Sequence, residues 1–154
     1  MLSHFQVAFA DLIASPELIA WVRAEPEILR SRYDLTDVEW RRLVSVIDQP
    51  GMAVNCILYR ANRFTPIVLN LPGLCEVLSD RLRPLLSEFW AANIHTNANF
   101  LIESYHFCEF VMDKIDTGLI PGESVLPTLE REMADIAKQL KAIYPKEHLT
   151  WMEH

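Results

Sequence analysis

Glycine is scarce in this sequence of 154 residues, and no Asn-Gly or Asp-Gly pair occurs in it. Such pairs form the tight turns of β-hairpins, so repeated strand reversals have little support. The three cysteines are odd in number and far apart, and no Cys-x-x-Cys pair occurs. This pattern favours reduced thiols over a disulfide framework or a zinc site.

Several signatures of activity and location are also missing. There is no Gly-x-Gly-x-x-Gly or Gly-Lys-Ser/Thr loop for phosphate groups and no Gly-x-Ser-x-Gly nucleophile turn. No uncharged apolar run approaches the roughly 18 residues that span a bilayer, and the opening residues do not form a secretory signal. The net charge of −7 argues against nucleic acid as a partner. We therefore expect a cytoplasmic protein that contacts neither membrane nor nucleic acid.

What the sequence does contain is helical patterning. Hydrophobic residues make up 51% of the chain, and they recur at steps of three and four, the spacing of one helix face. Ser15-Pro16-Glu17 and Thr36-Asp37-Val38-Glu39 are typical helix starts. We predict a last helix over 125–143 with Ser124 as its cap, and its periodicity places Glu130, Arg131, Glu132 and Lys138 on the outer side. We predict an all-α fold with one compact domain of about seven or eight helices over residues 1–145, followed by a C-terminal tail over 146–154.

The segment 52–70 is the most apolar of the predicted helices and should be the most buried. Because Pro66 removes a backbone donor, we expect a kink or a change of helix near Phe64-Thr65. It carries Arg60 and Arg63, and buried cations need partners. One interpretation pairs both arginines with an acidic residue from the set Glu88, Glu103 and Glu109. The other makes the segment a docking groove for an acidic or extended peptide. We expect Arg60 to be the structural arginine and Arg63, beside Pro66, the binding one.

Glu103 and His106 form a Glu-x-x-His pair, which di-iron carboxylate bundles use twice together with two further glutamates. No second pair exists in the chain, so we expect a half-exposed ion pair here and no metal site built by this chain. An alternative is a stand-alone all-α enzyme, iron-dependent or cofactor-free, that acts on a small molecule in a pocket near Tyr59, Arg63, Glu103 and His106. A third alternative, a helical subunit of a ring-opening dioxygenase, rests on the all-α character and on Tyr33-Asp34-Leu35-Thr36. We place Cys56 and Cys108 in the core.

The region 55–111 resembles a known family. The residues that carry the resemblance are Tyr59-Arg60-x-Asn62, the apolar run to Pro72, Leu78, Phe89-Trp90, His95 and Phe100 followed by Phe107-x-x-Phe110. In this order and spacing they resemble the helical N-terminal domain of HvfC-type proteins, to which the smaller MbnC- and TglI-like partner proteins are comparable. The sequence departs from the family pattern in three places: Asn55 replaces an arginine, Ser79 replaces a glycine, and the His-Pro-Pro loop is reduced to Ile94-His95-Thr96.

The resemblance implies a non-catalytic accessory subunit. Its partners would be a TIM-barrel multinuclear iron oxidase, which holds the iron, and the precursor peptide that the oxidase modifies in natural-product biosynthesis. We assign partner or peptide binding to six residues: Tyr59, Arg60, Asn62, Arg63, Phe64 and Phe100.

Overall fold

A computed structural model describes residues 3–95 and 99–144 of the chain, and within these ranges it contains helices and no strands. The prediction of an all-α fold is therefore confirmed. Nine α-helices and one short 3-10 helix, Ser79–Arg81, are formed by the described residues. The α-helices are α1 (His4–Ala14), α2 (Pro16–Ala24), α3 (Ile28–Arg32), α4 (Asp37–Val46), α5 (Pro50–Asn70), α6 (Pro72–Leu78), α7 (Leu82–Ala92), α8 (Phe100–Asp116) and α9 (Gly122–Ile143).

The chain divides into two compact units, Met1–Asn62 and Arg63–His154, and the boundary lies within α5. Each unit has its own apolar core. The fully buried side chains of the first unit include Leu12, Val22, Leu29 and Leu43. Those of the second include Phe107, Ile67, Leu71, Leu74, Leu129, Ile136 and Leu140. The predicted tail 146–154 lies outside the described residues, and the predicted single domain over 1–145 stays a prediction.

Local side-chain chemistry starts several helices where the sequence predicts a start. Ser15 Oγ accepts a hydrogen bond from the Leu18 amide at 3.1 Å at the beginning of α2. Thr36 Oγ1 accepts from the Glu39 amide at 3.3 Å, and the Glu39 carboxylate accepts from the Thr36 amide at 2.9 Å. This reciprocal pair satisfies two backbone donors at the start of α4. Both predicted starts are confirmed.

Helix α9 begins earlier than predicted. The sequence pattern places its cap at Ser124, but the helix starts at Gly122 after Pro121, with no side-chain cap at that position. Pro121 has a fixed φ near the helical value, which favours a helix that begins immediately after it. Ser124 therefore lies in the first turn rather than at the cap.

The prediction that the 52–70 segment is the most buried helix is wrong. In α5, Val54, Ile57 and Leu58 are 53%, 67% and 55% exposed. Met52 and Cys56, which are four residues apart on one side of the helix, are buried. Val54, Ile57 and Leu58 lie on the opposite side. Helix α5 also continues through Pro66 to Asn70 without a change of helix.

Ser79, which follows α6 and is the first residue of the 3-10 helix, has φ 46° and ψ −120°. It is the one non-glycine residue with positive φ among residues 3–95 and 99–144. A side chain in this region is strained by about 1–3 kcal/mol, because Cβ crowds the backbone. The position therefore favours glycine.

No single helix within the described ranges is both long and apolar enough to cross a bilayer. Helices α1 and α2 meet the requirement only when they are taken together, and they are bent by 109° relative to each other.

Candidate functional site

Arg63 and Glu103 form a buried ion pair in the second unit. Arg63 Nε donates to Glu103 Oε1 at 2.6 Å, and the two side chains are 3% and 4% exposed. Arg63 Nη1 donates to the carbonyl oxygen of Ile94 at 3.2 Å, and the guanidinium carbon lies 5.7 Å from the centre of the Trp90 ring. One arginine thus ties α5 to the first turn of α8 and to the residues that follow α7. Of the acidic residues named by the internal interpretation, Glu103 is the partner of Arg63.

This pairing changes what Glu103 can do. Its carboxylate is buried, and Oε1 is occupied by the Nε–H of Arg63. A substrate in solvent therefore has no direct access to this carboxylate. His106, one turn further along α8, is partly buried. Burial raises the pKa of the neighbouring Glu109, and the charge of His106 partly offsets this rise.

Arg60 behaves differently from the prediction. Its guanidinium lies 3.6 Å from Glu17 Oε1, and the two side chains are 31% and 50% exposed. The predicted acceptors do not include Glu17. Arg63 shares its helix face with the buried Ile67, whereas Arg60 lies about 60° away around the helix. The structure therefore reverses the expected placement: Arg63 is the buried arginine and Arg60 the partly exposed one.

The remaining residues assigned to binding are distributed between the two units. In the first unit Tyr59 is partly buried and Asn62 is exposed. In the second unit Phe64 and Phe100 are exposed, by 41% and 54% respectively. Exposed phenylalanines are available for contact with a partner. Their assignment to binding stays a prediction.

Sequence reasoning missed the most unusual surface feature of α5. All twelve of its exposed residues are uncharged, in a chain of which 23% is charged. They are Pro50, Gly51, Ala53, Val54, Asn55, Ile57, Leu58, Ala61, Asn62, Phe64, Thr65 and Leu69. The signal was present in the sequence, because no acidic residue and no lysine occurs in this helix. The scarcity of charge in α5 predicts a buried helix, but in the structure it marks an exposed apolar face.

Four of the exposed residues of α5 lie in the first unit on one side of the helix. We name these four, Val54, Ile57, Leu58 and Ala61, the α5 face. Their spacing of three, four and seven residues places them on one side of the helix. The two exposed amides Asn55 and Asn62 lie beside them. An exposed cluster of large apolar side chains with polar groups at its edge is the composition of a protein-binding surface.

Glu132 is a second residue that sequence reasoning misplaced. The helix pattern put it on the outer side of α9, but its side chain is buried. Its two carboxylate oxygens accept hydrogen bonds from the amides of Gly73 and Leu74 at 2.8 and 2.9 Å. These are orphan donors at the start of α6, where the cap residue Leu71 has no side-chain acceptor. The absence of a side-chain acceptor at Leu71 is the sequence feature that could have indicated a distant acceptor for these two amides.

The cysteines show no sign of activation. Cys56, Cys75 and Cys108 are free thiols, as the sequence predicts, and Cys56 and Cys108 are buried in the cores. Burial, with a smaller contribution from the charge of Glu132, raises the pKa of Cys75 to about 11. Burial also raises the pKa of Cys108. These thiols stay protonated near neutral pH and are poor nucleophiles.

No group of three or more His, Cys, Asp or Glu side chains is arranged to hold a metal ion in the described part of the chain. The ion pair expected at Glu103 is present, but it is formed with Arg63 and is buried rather than half-exposed. What these ranges contain is a buried structural ion pair and an exposed, uncharged helix face.

No protein-family model matches the sequence, and neither a curated protein nor a solved structure is significantly similar to it.

Proposed function

We propose that this chain is a cytoplasmic, non-catalytic accessory subunit that binds a TIM-barrel iron oxidase and its precursor peptide, with the iron held by the oxidase. The observation that carries the proposal is the absence of charge among the exposed residues of α5. A surface helix of an acidic protein normally presents charged residues to water. The cores of protein interfaces, in contrast, are depleted of charge and rich in large apolar side chains.

The positions of the assigned residues agree with a binding role in part. Asn62, Phe64 and Phe100 are exposed, so a partner can reach them. Arg63 is buried against Glu103, and we now assign it the role of holding α5 in place. The binding surface of the first unit is the α5 face, with Asn62 at its edge.

Ser79 is one of the three positions at which the chain departs from the family pattern. The family has glycine at this position, and the backbone of Ser79 adopts a positive φ that favours glycine. A glycine pattern therefore has a structural reason at this point of the chain. The identity of the proposed partners, an iron oxidase and its precursor peptide, comes from the resemblance alone. The α5 face supports a protein-binding role without naming the partner.

The alternative, a stand-alone enzyme, has less support. Its proposed acid, Glu103, is committed to Arg63 inside the second unit. Its proposed cation, Arg63, is equally buried. Neither group is available to a small molecule that enters from solvent.

The test is a pull-down of the tagged chain from its native host, followed by mass spectrometry and iron determination on the eluate. We expect a larger iron-containing barrel protein to be retained. The double variant Ile57→Gln/Leu58→Gln should lose it, while the control Val38→Gln should retain it. Val38 is 56% exposed, so the control removes a similarly exposed apolar side chain from α4. Recovery of the chain alone with stoichiometric iron or a coloured small molecule would establish an enzyme instead.

A further inference from the structure

We draw no further inference here: the strongest candidate, the exposed and uncharged α5 face in the first unit, carries none because nothing in the structure shows what covers it.

Discussion

Arg63 donates a hydrogen bond to Glu103 over 2.6 Å, and both side chains are almost completely buried. The two residues are 40 positions apart in the sequence. Each removes the other's isolated charge from the interior of the second unit, where an unpaired charge would be costly. The pair therefore couples the position of α5 to that of α8.

Removing one partner of this pair should destabilise the protein strongly. We expect Arg63→Ala to lower the free energy of unfolding by about 3–5 kcal/mol, because the buried carboxylate of Glu103 would lose the cation that donates to it. Arg60→Ala removes a partly exposed pair and should cost less than about 1 kcal/mol. Urea unfolding of the two variants measures the difference. Equal losses would contradict the different burial of the two arginines.

A second variant separates charge from packing at the same place. The double substitution Arg63→Met/Glu103→Leu removes both charges and keeps apolar volume, so it should recover most of the stability lost in Arg63→Ala. A double variant as unstable as Arg63→Ala would indicate that the contact of Arg63 with the Ile94 carbonyl, and not the ion pair, dominates.

Glu132 should matter more than its surface-like sequence pattern suggests. Glu132→Gln replaces one acceptor oxygen with an amide donor that faces a backbone N–H, so we expect a loss of about 2 kcal/mol. Glu130→Gln, on the exposed side of the same helix, should change stability by less than about 0.5 kcal/mol. Chemical denaturation of both variants makes the comparison. Similar stabilities would show that the α6 amides do not depend on the carboxylate.

Ser79→Gly should stabilise the protein. Relief of the strained positive φ outweighs the larger conformational entropy that glycine gives the unfolded chain, for a net gain of about 1 kcal/mol. Ser87→Gly is the matched control, because Ser87 is exposed within α7, where glycine is unfavourable by about 0.5–1 kcal/mol. The thermal midpoint should rise for the first variant and fall for the second. A fall in both would place Ser79 in an ordinary conformation.

Stability should decrease at alkaline pH. The pKa of Cys75 is about 11 in the folded protein against an ordinary value near 9, so the unfolded thiol ionises first. The contribution is complete below pH 9 and is lost as the pH rises from 9 to 11. The raised pKa values of Cys108 and Tyr33 act in the same direction. Unfolding curves between pH 8 and pH 11 should show the decline, and Cys75→Ala should make it shallower; an unchanged slope would contradict the assignment to Cys75.

Much of the helical framework could be predicted from the sequence, because helix starts and stripes depend on neighbours within a few residues. The capping box of Thr36 and Glu39 joins residues three positions apart. The helix stripes likewise repeat within one or two turns. The exception at the start of α9 involves only three residues, and helix ends are the least certain part of such predictions.

The candidate site was harder to predict. The same apolar pattern describes a helix that is buried all round and one with an exposed binding face, since periodicity does not show which sides have neighbours. Val54, Ile57 and Leu58 were therefore placed in the core although they are exposed. The roles of Arg60 and Arg63 were exchanged for the same reason: both lie on one helix, and only the packing determines which of them is enclosed.

The sequence by itself determined the all-α class, the caps of α2 and α4, and the reduced thiols, because each depends on composition or on hydrogen bonds between near neighbours. The tertiary structure decided which polar residues are buried. Glu132 meets the amide of Gly73 from 59 positions away, and Arg63 meets Glu103 from 40 positions away. Such contacts form only when distant helices pack together, so their burial, and the exposure of the α5 face, depend on the fold as a whole.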